Sequence, residues 1–112
     1  MAAQADVYIK NLLSQDLCVS RCLPDGRIDI KSTIIGGEED RFYLPSTDVY
    51  LTVGTSTELD LKDFPITVRS DIDFILIFST NSSWIFKLAP NELPPELPIT
   101  VKIIIGMESL FE

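Results

Sequence analysis

The stretch 72–88, IDFILIFSTNSSWIFKL, constrains the fold more than any other part of this chain. Two apolar segments flank a polar knot, Ser79-Thr80-Asn81-Ser82-Ser83. The first, Phe74-Ile75-Leu76-Ile77-Phe78, has no polar residue. A strand with one wet face alternates, so an unbroken β-branched and aromatic run predicts a strand covered on both faces. The second segment alternates, with Trp84, Phe86 and Leu88 on one side and Ser83, Ile85 and Lys87 on the other. The pattern predicts a central β-hairpin whose core face carries Phe74, Leu76, Phe78, Trp84 and Phe86, leaving Ile75, Ile77 and Ile85 on the opposite face.

Strand signals recur through the rest of the chain. Val7, Ile9 and Asn11 alternate with Tyr8, Lys10 and Leu12, which predicts a first strand near 6–12. The segment 17–23 reads as a second strand. It ends in Leu23-Pro24-Asp25-Gly26-Arg27, where proline presets the turn and glycine takes the left-handed position of a type I turn with a glycine bulge. Extended from that turn, the register pairs Cys22 with Ile28, Arg21 with Asp29, Ser20 with Ile30 and Val19 with Lys31. It points Cys18, Ser20, Cys22, Ile28 and Ile30 inward, with both cysteines as small core residues, and sets Arg21 and Asp29 outward as a pair. Further strands are expected at 41–44, 48–53, 65–69 and 99–105, with a short charged edge segment near 58–62.

The segment 90–98, PNELPPELP, holds four prolines, so neither a helix nor a central strand fits it. It is expected to be an extended crossover that carries the chain between sheets, with 106–112 as a tail. No segment keeps a 3.6-residue apolar period over three turns. With 112 residues, 46 % of them apolar, the chain fits one domain with its own core. The expected fold is therefore all-β: a single-domain (1–112) antiparallel β-sandwich of immunoglobulin-like or jelly-roll, Greek-key type, with about eight strands.

Charge and composition narrow the function. The net charge is −8, and the nine Lys and Arg are spread singly along the chain. That spacing argues against nucleic acid and anionic membranes, both of which select clustered cations. The longest apolar runs, at 74–78 and 103–107, fall far short of the roughly 20 residues a membrane helix needs. The absence of histidine removes Ser-His-Asp and Cys-His catalysis and histidine-ligated zinc. Cys18 and Cys22, if on one strand, lie about 13 Å apart at ~3.3 Å per residue, beyond the roughly 7 Å a disulfide spans. Free thiols fit a reducing, cytoplasmic setting. The alternative is an exported mature chain, because Ala3-Gln4-Ala5 resembles the end of a signal peptide.

Candidate ligand motifs are weak. Glu38-Glu39-Asp40, the pair Asp71 and Asp73, and the group Glu58, Asp60 and Asp63 supply carboxylates, but none matches a calcium-loop signature and each reads as solvated surface. Asn81-Ser82-Ser83 matches a glycosylation acceptor but is equally hairpin-turn chemistry. No catalytic, metal or cofactor site is expected. The leading expectation is a non-catalytic protein-interaction or assembly module that self-associates through an apolar outer face. Its interface would be formed by Ile75, Ile77, Ile85, Leu17 and Val19, with Leu12 and Ile104 adding apolar area and Leu110 and Phe111 docking on a neighbour. The alternative is a lectin-like or calcium-dependent sandwich with its site in the end loops, using Tyr8, Tyr43 and Tyr50 beside the acidic turns.

Overall fold

The computed structural model describes residues 4–55, 64–70, 75–79, 83–89 and 99–107. Nine strands and no helix occur among them: β1 (Ala5–Asn11), β2 (Leu17–Cys22), β3 (Ile28–Ile34), β4 (Glu39–Leu44), β5 (Tyr50–Thr55), β6 (Ile66–Ser70), β7 (Ile75–Ser79), β8 (Ser83–Leu88) and β9 (Ile99–Ile105). They form a four-stranded sheet in the order β4-β1-β9-β6 and a five-stranded sheet in the order β3-β2-β5-β8-β7. We call these sheets A and B. Every ladder is antiparallel except β1 with β9, the first and last strands, which run parallel as the inner pair of sheet A. The expected all-β sandwich is therefore the fold.

The two sheets meet over a dry core. Sheet A contributes Ala5, Val7 and Ile9 from β1, Phe42 and Leu44 from β4, and Val101, Ile103 and Ile105 from β9. Sheet B contributes Leu17, Val19, Ile34, Leu51, Val53, Trp84, Phe86 and Leu88. Each set follows the two-residue period of its strand, as the pleat requires. Chain order places β8 in sheet B and β9 in sheet A, so the chain changes sheets between Leu88 and Ile99. The proline-rich segment expected to make that crossover lies outside the described residues, as does the expected edge segment near 58–62.

The turn after β2 has the expected chemistry. The Gly26 amide donates to the Leu23 carbonyl at 2.9 Å, the Leu23 amide to the Arg27 carbonyl at 2.8 Å, and Gly26 has φ of 88°. Beyond the turn the expected register fails. Cys22 opposes Ile28 as predicted, but Arg21 opposes Ile30, so Asp29 is an extra residue and β3 bulges there. Every later pair is displaced: Ser20 faces Lys31 and Val19 faces Ser32. The facing of β2 is also the reverse of the expectation. Leu17 and Val19 are buried, whereas Cys18 is exposed and Ser20 half-buried. Burial favours the larger apolar pair, since stabilisation grows with the apolar area removed from water.

Asn11 is the buried polar residue among the described core positions. Its side-chain amide donates to the Gln15 carbonyl at 2.6 Å and to the Ile34 carbonyl at 2.8 Å, while its oxygen accepts from the Leu13 amide at 2.8 Å. Its backbone donates to Glu38 at 2.9 Å and accepts from Gly37 at 2.7 Å. One residue at the end of β1 thus ties sheet A to β3 of sheet B and to both neighbouring turns. The turns pack so closely that a Cβ on Gly36 would stand 2.5 Å from the Leu13 carbonyl oxygen.

Candidate binding surfaces

The apolar interface expected from sequence does not assemble. Leu17 and Val19 are fully buried between the sheets, so neither can face a partner. The β7–β8 register pairs Ile77 with Phe86 and Phe78 with Ile85. Phe86 is in the core, so Ile77 stands on the core-side face of its strand and Ile85 on the outer one. The expected Ile75, Ile77 and Ile85 patch is therefore divided between two faces. The expected inward set of this hairpin is correct for Trp84 and Phe86, but the β7 register is shifted by one residue. Phe74, Leu110 and Phe111 lie outside the described residues. Ile104, expected to be outward and exposed, does oppose Lys10 and Thr67 on the outer face but is buried. Among the described residues the large apolar side chains left exposed, Ile28, Ile35, Ile77 and Met107, come from β3, the turn after it, β7 and just beyond the end of β9.

The sandwich is closed on one side by polar contacts between sheets. Arg21, on the core-side parity of β2, donates to both Asp29 carboxylate oxygens at 2.9 and 2.6 Å and to the Tyr43 carbonyl of β4 at 2.8 Å. Nearby, the Ser32 hydroxyl donates to Asp40 at 2.8 Å. The bulge at Asp29 makes the forked Arg21 contact possible by turning the carboxylate toward β2. The hydrogen bond from Arg21 holds the Asp29 carboxyl below the usual carboxylate range, and the same bond raises the Arg21 guanidinium above its ordinary value. A carboxylate with a lowered native pKa adds stability above its unfolded pKa, and that contribution is lost as pH falls through the native value. Asp29→Asn should therefore be less stable than the parent at neutral pH, with the difference shrinking in acid. Urea midpoints measured at several pH values check this; a difference independent of pH would contradict it.

Both thiols are free and both lie on the outer parity of β2. Cys18 is exposed, opposite Gly54, while Cys22 is buried beside its cross-strand neighbour Tyr50. The Tyr50 hydroxyl is pushed above its ordinary range, first by the charge Cys22 would carry as a thiolate, then by burial and by their mutual hydrogen bond. Tyr50 thus belongs to the outer face of sheet B. Tyr8 and Tyr43 stand on the outer parity of sheet A, diagonal to each other across β1 and β4. Tyrosines on two opposite faces do not make the end-loop cluster that a lectin-like or calcium-dependent site requires. Among the acidic groups expected to serve calcium, Asp40 accepts the Ser32 hydroxyl and Glu39 pairs with Lys102 at 3.5 Å.

The four sheet edges differ in kind. β4 carries Glu39, Asp40 and Arg41; β3 carries Lys31 and the Asp29 bulge; β6 carries Arg69 and follows Pro65. Charges, bulges and prolines at an edge discourage pairing with another chain. β7, with the sequence Ile-Leu-Ile-Phe-Ser, has none of them. Among the described residues it pairs only with β8. Ile77 on this strand is 40 % exposed despite its core-side facing.

No family model and no curated protein matches the sequence. Among solved structures the chain is similar to a bacterial adhesin from Mobiluncus mulieris containing intramolecular disulfide, isopeptide and ester bond cross-links. In one crystal form of that adhesin the TM-score is 0.51 at 8 % identity; in a second it is 0.50 at 9 % identity. The match covers 94 % of this chain but 42 % of the adhesin chain, so this protein spans less than half of that structure. At such identity the likeness establishes the fold, which agrees with the two-sheet architecture.

Proposed function

We propose that the chain is a non-catalytic binding and assembly module that self-associates by pairing the β7 edge of one copy with the β7 edge of another. One observation carries this reading: three of the sheet edges present charges, a bulge or a preceding proline, and β7 presents none. Two copies related by a two-fold axis would run their β7 strands antiparallel and join their five-stranded sheets into one. Ile77 would be covered in the process. The reading keeps self-association but moves it from an outer sheet face to an edge. The adhesin-like fold and the lack of histidine support a non-enzymatic module. The fold also supports an exported or surface-displayed chain, the alternative to a cytoplasmic one. Light scattering at micromolar concentration is expected to give a dimer. Ile77→Lys should give a monomer with an unchanged far-ultraviolet circular dichroism spectrum. A parent protein that stays monomeric, or an Ile77→Lys dimer, would remove this reading.

A further inference from the structure

Strand order gathers cations that the sequence keeps apart. On the outer face of sheet A, Tyr8 of β1 stands in register with Arg41 of β4 on one side and Lys102 of β9 on the other. Lys102 is in turn opposite Arg69 of β6. Arg41, Tyr8, Lys102 and Arg69 therefore form one row across all four strands, spanning about 14 Å at ~4.8 Å per strand. Lys10 lies one step along β1 on the same face, opposite Glu39. Among the described residues this face carries four Lys and Arg and two carboxylates, Asp6 and Glu39, a local excess of cations in a chain of net charge −8. Asp6 and Glu39 hold Arg41 and Lys102 only loosely. Arg41 is 3.6 Å from Asp6 and Lys102 3.5 Å from Glu39, with the Arg41 side chain 60 % and the Lys102 side chain 45 % exposed. Such long, wet pairs contribute little and give way to a better anion at small cost.

We infer that this face is a binding site for an acidic glycan, a chain of sugars carrying carboxylate or sulfate groups. A tyrosine flanked in one row by an arginine and a lysine offers a sugar ring an aromatic surface with a cation on either side for its charged substituents. Tyr43, diagonal to Tyr8 and hydrogen-bonded through its hydroxyl to Gln4 at 2.9 Å, extends that surface. The backbone of a sheet's face is committed to its ladders, so recognition here is by side chains alone. That disfavours an acidic peptide, which binds an edge by main-chain hydrogen bonds. Duplex nucleic acid and anionic bilayers extend their charge well beyond four cations, onto the acidic remainder of the molecule. A glycan is narrow enough to touch this row only. The inference is independent of β7 pairing, which involves the other sheet.

Calorimetric titration of the whole chain with a heparin hexasaccharide and with oligogalacturonate tests the site, with neutral dextran, a short DNA duplex and phosphatidylserine vesicles as comparisons. Saturable binding of at least one acidic glycan is expected, weakening as salt rises from about 50 to 200 mM. The double variant R41Q/K102Q should weaken it by about tenfold, and Y8L by several-fold, with melting temperatures close to the parent's. Binding of neither glycan, affinity unchanged in R41Q/K102Q or in Y8L, or equal affinity for DNA or vesicles would overturn the assignment.

Discussion

Asn11→Leu is expected to lower stability by about 2–4 kcal/mol, because three backbone groups lose their partner while the side-chain volume is kept. The Ile34 carbonyl is the costliest of the three, since its hydrogen bond to Asn11 is buried; those of Gln15 and Leu13 are partly buried. Asn11→Asp should be worse at neutral pH. The substitution sets a carboxylate against the Gln15 and Ile34 carbonyls, where burial and their negative ends both oppose ionisation. Its native pKa would therefore lie above the ordinary carboxylate value. The sign then runs opposite to that of Asp29: the protonated form is tolerated, and the deficit grows as pH rises through the unfolded pKa. Urea denaturation of both variants at neutral and acid pH distinguishes them. Asn11→Leu should show a deficit nearly independent of pH, and Asn11→Asp one that narrows in acid. Equal stability of Asn11→Leu and the parent would mean that the tie between β1 and β3 contributes nothing.

Asn11 also shows what the sequence made legible. Its place in the alternation of Val7 and Ile9 puts it on the inward face, and that is where it lies. What it touches depends on residues 23 positions away in the other sheet. The β2–β3 turn was equally legible, because proline, aspartate and glycine act locally. The bulge at Asp29 was not, since it resolves a competition between two facings of β2 that only burial of Leu17 and Val19 decides. In β7 the unbroken apolar run held no polar residue to fix its facing, and the core facing expected of Leu76 and Phe78 is one residue out of register with Phe86 and Leu88. Its register was set by the link from Ser79 to Trp84, which form the closing pair of the hairpin. The cationic row was hidden for a different reason. Tyr8 and Lys102 have outward parity in the sequence, but their adjacency arises from the parallel pairing of the first and last strands, the least local contact in the fold.

Trp84→Ala is expected to cost about 3–5 kcal/mol, a large part of the roughly 5–15 kcal/mol that a small domain possesses. Trp84 is 1 % exposed, faces Val53 across β5, and is among the largest fully buried side chains. Its removal leaves a cavity between packed sheets that cannot collapse around it. The urea midpoint should fall with little change in slope, read by far-ultraviolet circular dichroism because the chain's one tryptophan is gone. Trp84→Phe should recover most of the loss. The contrast with Ile77→Lys separates the two roles of this hairpin. Trp84 on β8 holds the sheets together, so its loss shows in unfolding at any protein concentration. Ile77 stands on β7, which among the described residues pairs only with β8, so its substitution should act mainly where copies meet and cost the monomer less than Trp84→Ala does. If Trp84→Ala instead altered association while leaving the denaturation midpoint in place, the tryptophan would belong to a surface and the division of labour between β7 and β8 would be wrong.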